Sequence, residues 1–284
     1  MRIAVTGASG FVGGHLRNLA ASLGDEVVAV QRNDYNHPEV LQQRLAGCYA
    51  VVNLAGSPIN VRWNARNKSL IYHSRIDTTR KLVSAINGLT HKPRVFISTS
   101  AIGYYPYSGV CTESTLPARA SFLSRVCQNW EKEASQVSSD VRLVILRFGL
   151  ILGRDGGMLP NMLKAYKRGF GVVFGKGTQI YSWIHIYDLM RIYMLVLDCR
   201  EYQGIYNCVA SNISDARQFS LSLSAYFHPK ITFRIPEWFA SLLLRGSAAL
   251  LTRGQNVIPA RLLEQNFEFE YPQLNLAFNE LFEV

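Results

Sequence analysis

Thr6-Gly7-Ala8-Ser9-Gly10-Phe11-Val12-Gly13 is the stretch of this chain whose residue types and spacing most directly suggest chemistry. It follows the apolar run 3–5 and opens a segment, 11–23, with apolar residues at helical spacing: Val12, Leu16, Leu19 and Leu23. A strand, a glycine turn and a helix in that order build an anion site at the mouth of the helix. Gly7 permits a tight turn off the strand, Gly10 lets the backbone approach a pyrophosphate with no Cβ in the way, and Gly13 lets helix and strand pack closely. Free N–H groups around Ser9, Gly10, Phe11, Val12 and Gly13 then bind the phosphates. The expectation is a Rossmann dinucleotide loop rather than a merely tight turn, because the glycines fall between the right elements.

The end of the second apolar run, 27–30, discriminates between dinucleotides. An acid there bonds the ribose hydroxyls, whereas an arginine pairs with a 2′-phosphate. Here Val30 is followed by Gln31 and Arg32, and the first acid, Asp34, comes two residues later. NADP(H) is therefore the expected cofactor, with Arg32 as the phosphate partner; the competing reading of Arg32 is an ordinary surface arginine.

Trp63, Arg75 and Trp183 are candidates for a substrate pocket, the arginine for an anionic or hydroxylated group and the tryptophans for stacking on a flat or sugar-like face. His185 is either a proton shuttle or a satisfied core residue, and Asp188 is expected to cap the helix that follows. Glu113 is an acid or base if buried, and otherwise a loop carboxylate in solvent. No His/Cys/Asp cluster has metal-ligand spacing, so no metal is expected, and no Ser–His–acid arrangement points to hydrolysis.

Elements must hold these residues. Short apolar runs at 2–6, 27–30, 48–54, 94–98 and 142–147 alternate with helical spacing at 11–23, 64–87 and 122–137. That alternation predicts an α/β fold, a Rossmann-type doubly wound parallel sheet. Beyond Gly149 the pattern loosens into helices at 158–168, 188–197, 216–227, 238–251, 259–265 and 274–281, strands at 183–186 and 204–209, and a glycine-rich loop at 169–177. Residues 1–149, joined by 178–209, are expected to form the dinucleotide-binding domain. Residues 150–177 and 210–284 are expected to form a smaller, helix-rich substrate lobe.

The 284 residues are 48% hydrophobic and 18% charged, enough for a sizeable core. The net charge of +10 is scattered, which suits an anionic small molecule better than a nucleic acid. Five cysteines with no CxxC pair argue against a disulfide framework or zinc and fit a reducing, cytoplasmic setting. The strand pattern at the N-terminus leaves no room for a signal peptide. No apolar run reaches the roughly 18–20 residues needed to span a bilayer. The segment 238–251 reads as a packed core helix rather than a membrane-surface helix. A monomer and a homodimer are both compatible with the sequence.

The loop TGASGFVG, then Asn53-Leu54-Ala55-Gly56 and Ser98-Thr99-Ser100-Ala101-Ile102-Gly103-Tyr104-Tyr105, resemble the extended short-chain dehydrogenase/reductases, among them sugar-nucleotide epimerases and dehydratases. More narrowly, the chain resembles the "epimerase family" proteins, a group also labelled nucleoside-diphosphate-sugar epimerase or cell-division inhibitor. That likeness rests on 53–58, Ser74-Arg75-Ile76 with Thr79, Trp130-Glu131, Leu146-Arg147-Phe148-Gly149, Gly156-Gly157, Ser182-Trp183-Ile184-His185-Ile186, Gly254-Gln255, Val257, Pro259 and 267–272. The resemblance implies Leu54, Ala55 and Gly56 as further cofactor contacts. It also implies an oxidoreductase or epimerase acting on a small carbonyl or hydroxyl compound, nucleotide sugars included. Ser100 takes the position of the hydroxyl that bonds the reacting oxygen, and Tyr104 or Tyr105 is a candidate proton donor, Tyr104 ahead of Tyr105; both tyrosines are otherwise pocket wall. Arg147 is expected beneath the site in a structural role. Two departures stand out: residues 33–47 look too short for the usual adenine wall, and the superfamily's Tyr-x-x-x-Lys pair falls on Phe122 and Val126. The second departure makes a catalytically silent NADP(H)-binding sensor the rival reading.

Overall fold

Thr6 and Asn53 lie at register partners on two neighbouring parallel strands, and the architecture follows from that pairing. The structure, a computed structural model, describes residues 1–244 and 248–283. In chain order the first half runs β1 (Arg2–Thr6), α1 (Phe11–Ser22), β2 (Glu26–Val30), α2 (Pro38–Leu45), β3 (Ala50–Asn53), α3 (Ala65–Asn87), β4 (Val95–Ala101), β5 (Val110–Cys111), α4 (Phe122–Ala134) and β6 (Arg142–Phe148). The second half runs β7 (Leu150–Leu152), α5 (Leu159–Tyr166), β8 (Phe170–Phe174), β9 (Trp183–His185), α6 (Ile186–Asp198), β10 (Gly204–Cys208) and α7 (Ala216–Phe227). It ends with β11 (Ile231–Ile235), α8 (Glu237–Leu244), α9 (Ala249–Thr252), β12 (Asn256–Val257), α10 (Ala260–Glu264) and α11 (Leu274–Phe282).

Six parallel strands form the central sheet in the order β10-β6-β4-β3-β1-β2. The chain steps outward from β1 to β2 and then back to β3 on the other side, so the carboxyl ends of β1 and β3 flank the topological switch point. That is where open α/β sheets bind ligands. Alternate side chains serve opposite faces. Ile3, Val5, Val52, Ile97 and Val144 pack with α1 and α6, whereas Ala4, Val51 and Phe96 pack with residues of α2, α3 and α4. Leu159, Leu163, Trp183, Phe219, Leu223 and Phe278 build a further core from α5, α7 and α11. The expected Rossmann-type parallel sheet is the one found.

Residues 33–47, expected to be short at the adenine edge, hold a 3-10 turn (Arg32–Asn36) that leads into α2, whose Pro38 sits where a helix start tolerates it. Two expectations need correction. Within the segment expected to be glycine-rich loop, Phe170–Phe174 is a strand paired in parallel with β11, itself unforeseen. Its hydrogen bonds come from residues distant in sequence, which local composition does not reveal. The helix expected at 238–251 comprises α8 and α9, with Arg245, Gly246 and Ser247 outside the described residues. Trp238 is 71% and Leu242 63% exposed, so on those residues α8 is no core helix. Among the described residues no helix is long and apolar enough to cross a membrane.

Candidate functional site

Gly7 has φ +66°, and a Cβ there would lie 2.9 Å from the Leu54 carbonyl oxygen. Gly13 is tighter still: its Cβ would lie 2.3 Å from the Gly7 oxygen. These two glycines let β1, the turn and α1 pack, whereas Gly10 is exposed and serves an opening. Gly10 caps α1 without a side-chain hydrogen bond. Among the described residues the backbone bonds of this turn run from Gly10 to Gly7 and from Gly14 to Gly10, leaving the N–H groups of Phe11, Val12 and Gly13 without a backbone partner. Ser9 is exposed beside them. Such a group of unmet N–H donors suits phosphate. Behind the turn, the Thr6 hydroxyl donates to Asn53 at 2.9 Å and accepts from the N–H groups of Leu54 and Ala55 at 2.9 and 3.0 Å. Asn53 donates to Thr79 at 2.7 Å, and the Trp130 indole reaches the same hydroxyl at 2.9 Å. The Phe11 ring fills the space over Gly153 and Gly156, where added Cβ atoms would come within 2.5 and 2.3 Å of it.

Arg32 is exposed at the end of β2. Asp34 is buried, accepts the Gln31 N–H at 2.8 Å and pairs with Arg44 at 3.4 Å. The nearby acid is thus turned inward, and the arginine faces solvent.

Ser100 shares its strand face with Phe96 and looks toward α4. Ser100 is 1% exposed, and its hydroxyl donates to the Glu131 carboxylate at 2.6 Å. Arg147 grips that carboxylate in two-pronged fashion, at 2.8 and 2.7 Å, and donates to the Tyr105 hydroxyl at 2.6 Å. Tyr105 in turn donates to Asn207 at 2.8 Å. Burial opposes charge on Arg147, but Glu131 outweighs it and holds the guanidinium pKa above its ordinary value. The half-buried Tyr104 ring stacks on this guanidinium, 3.6 Å from Cζ to the ring centroid. Arg147 therefore sits under the site, as expected, but Glu131 was not foreseen. Its sequence signal was a carboxylate within the buried stripe Val126, Cys127, Trp130 and Ala134 of α4.

On α4 the residues turned toward β4 and the turn after it, Leu123 and Cys127, lie one position beyond the expected Phe122 and Val126. Val126 is buried with Ile71, Ile76 and Trp130, and Phe122 packs on Trp63, with ring centroids 5.5 Å apart. Leu123 instead closes on Gly103, and the Cys127 thiol lies 3.6 Å from the Ala101 carbonyl, beside Ser100. Burial, then the charge of Glu131, pushes that thiol up to about 11. A one-residue slip turns a helix by about 100°. Neither register places a tyrosine or a lysine at the site. Trp63 is half-buried with its indole N–H spent on the Ile59 carbonyl at 2.9 Å.

Several candidates are not where they were expected. Tyr105 is 0% exposed, its pKa pushed up to about 12 by burial, and forms no pocket wall. Trp183 is buried in the α5–α7–α11 core and offers no stacking face. His185 caps α6 through the Tyr187 N–H at 3.3 Å and meets Glu280 at 3.0 Å. It borders a separate groove of about 960 Å³ between α1 and α6, lined also by His15, Met190 and Phe267. Its burial favours the neutral form. Asp188 does not cap that helix; it accepts the N–H groups of Glu270 and Tyr271, each at 2.9 Å. Glu113 is not free in solvent: one oxygen accepts the Asn207 N–H at 3.0 Å and the other is buried without a partner. Among the described residues no group of three or more His, Cys, Asp or Glu is placed to hold a metal.

Residues 3–208 match the model described as NAD dependent epimerase/dehydratase family, and residues 235–281 match a domain of unknown function, DUF1731. The chain belongs to the NAD dependent epimerase/dehydratase family. Within that family it is 31% identical over 292 residues to human epimerase family protein SDR39U1, covering 99% of both chains. It is 32% identical over 297 residues to epimerase family protein YfhF of Bacillus subtilis, covering 99% of this chain and 98% of that one. The crystal structure of human epimerase family protein SDR39U1 (isoform2) with NADPH superimposes with a TM-score of 0.93 at 30% identity, covering 100% of this chain and 99% of that one. A family fold recurs in UDP-glucuronic acid 4-epimerase from Bacillus cereus, at a TM-score of 0.78 and 18% identity over 99% of this chain and 98% of that one.

Proposed function

We propose that this family member binds NADP(H) and uses it as an oxidoreductase or epimerase on a small carbonyl or hydroxyl compound, with nucleotide sugars among the candidates. The cofactor's pyrophosphate rests on the N–H groups of Phe11, Val12 and Gly13, and its 2′-phosphate pairs with Arg32. The observation that carries the cofactor choice is the inward turn of Asp34 beside an outward Arg32. The NADPH in the human SDR39U1 structure supports the same choice. Leu54, Ala55 and Gly56 floor the cleft, and the second lobe, residues 150–177 and 210–284, closes over the substrate. Arg32→Ala is expected to weaken NADPH binding roughly 10- to 100-fold, the worth of a charge-assisted hydrogen bond of about 1.5–3 kcal/mol, and to leave NADH unchanged. Fluorescence titration with both dinucleotides measures this; an equal loss for both would remove Arg32 from the phosphate site.

When bound, NADP(H) would supply or accept the hydride, and Tyr104 would exchange the proton. Ser100, buried with its hydroxyl held by Glu131, is the group proposed to bond the reacting oxygen. The rival is a silent NADP(H)-binding sensor, favoured by Leu123 and Cys127 at the site and by the Ser100 hydroxyl being donated to Glu131. Absorbance at the nicotinamide band, followed with NADPH and a panel of carbonyl compounds, separates the two. Turnover that falls by about 10²–10⁴ in Tyr104→Phe, and falls also in Ser100→Ala, supports the enzyme. Tight NADPH binding with no turnover across the panel assigns the sensor.

A further inference from the structure

Arg75, the expected pocket cation, lies in α3 against Gly56, where a Cβ would fall 2.8 Å from its Cζ. The groove of about 960 Å³ that His185 borders is on the other face of the sheet, between α1 and α6. Its size is that of a small-molecule pocket. Leu19, Met190, Met194, Leu195 and Phe267 give it an apolar lining, Met190 and Phe267 buried and the other three half-buried. Unbranched methionine side chains adapt readily to the shape of an apolar ligand.

The charge around this lining has the opposite sign to the chain as a whole. Asp198, Glu268 and Glu280 line the groove against one guanidinium, Arg191, in a protein of net charge +10. That guanidinium is already engaged. It donates to Asp188 at 3.1 Å and to the Glu268 carbonyl at 2.7 Å, and its Cζ lies 5.2 Å from the Phe267 ring centroid. Glu280 meets His185, whose burial favours the neutral form. Asp198 and Glu268 are exposed and, among the described residues, pair with no cation. In the same wall the Gln265 side-chain oxygen is buried without a donor. These unpartnered groups are all acceptors. Asp198 also closes α6, where the carbonyl end of the helix adds partial negative charge. A ligand that complements such a trough brings a hydrocarbon body and a positively charged N–H donor, whereas an anion is repelled.

We propose that the α1–α6 groove is a second binding site, separate from the dinucleotide cleft, for a small organic amine. Its ammonium head sits at Asp198 by the carboxyl end of α6, and its apolar tail lies over Met190, Met194 and Phe267. Cys199 reports occupancy, because it lines the groove half-buried while the other four cysteines are buried. Full-length protein is treated with iodoacetamide at pH 7, and alkylation of Cys199 is followed by mass spectrometry with octylamine, octanol, octanoate or ethylamine present. Octylamine is expected to slow the reaction at least about fivefold and octanol less, whereas octanoate and ethylamine change it by under about twofold. Asp198→Lys sets a cation at a helix end that favours one, so it keeps the wild-type melting temperature and loses the octylamine effect. The head-group series on wild type stands without that variant. Protection is equal with and without saturating NADPH, so the result is independent of whether the dinucleotide binds. No protection by octylamine, equal protection by the amine and the carboxylate, or protection that survives in Asp198→Lys overturns the proposal. So does a Leu/Lys amphipathic peptide that shields Cys199 where octylamine does not, which would make the groove a protein-docking face.

Discussion

Gly10→Val is expected to weaken NADPH binding by at least about 100-fold while leaving the circular dichroism spectrum and melting temperature close to wild type. Gly10 has φ −77° and ψ 174°, an extended conformation open to any residue. An added Cβ meets only the Gly7 oxygen, at 3.2 Å, within a 4 Å radius. The fold therefore accommodates valine, but its methyl groups enter the opening before the N–H groups of Phe11, Val12 and Gly13. Losing two charge-assisted hydrogen bonds to pyrophosphate is worth about 3 kcal/mol or more, which is roughly 100-fold in affinity. Gly13→Ala is the contrasting control, since its Cβ would sit 2.3 Å from the Gly7 oxygen and disturb the packing of α1 itself. Fluorescence titration of Gly10→Val reads the result; affinity within threefold of wild type would mean that the phosphates do not sit at this mouth.

Arg147→Ala is expected to lower the melting temperature by on the order of 10 °C. Arg147 is 1% exposed, and removing it strands the Glu131 carboxylate with the Ser100 hydroxyl as its remaining side-chain partner. Breaking a buried ion pair from one side costs about 3–5 kcal/mol, and each kcal/mol shifts a domain of this size by roughly 2–4 °C. It also frees the Tyr105–Asn207 link and removes the platform under the Tyr104 ring. Replacing both partners, Arg147→Met with Glu131→Leu, is expected to recover a large part of the loss, because no buried charge is left unpaired. Thermal denaturation of the three proteins decides the point; a shift under about 2 °C for Arg147→Ala would show that the pair carries little of the fold's stability.

What could be read from sequence follows the range of the interactions. The glycine turn, the six sheet strands and α3 with its Asn64 cap are local features, and each has its signal within a few residues. Arg32 and Asp34 were legible as types, but the inward turn of Asp34 depends on Gln31 and Arg44. Burial is the property that sequence conveyed least. Tyr105, Trp183 and His185 carry the chemistry of pocket residues, yet distant partners enclose them: Asn207 for Tyr105, Glu280 for His185 and the α7 and α11 side chains around Trp183. Glu131 belongs to the same class, because its partners Ser100 and Arg147 lie 31 and 16 residues away. The Phe122/Val126 register failed for a different reason. Both registers place one apolar residue followed four positions later by another, and the packing of Leu123 on Gly103 and of the Cys127 thiol on the Ala101 carbonyl tells them apart.

The most direct measurement is the structure of the full chain crystallised with NADPH. Pyrophosphate oxygens within about 2.7–3.2 Å of the Phe11 and Val12 amide nitrogens, with the 2′-phosphate against Arg32, are the predicted result. A dinucleotide found elsewhere, or a glycine turn filled by a protein side chain in crystals grown at saturating NADPH, would contradict it.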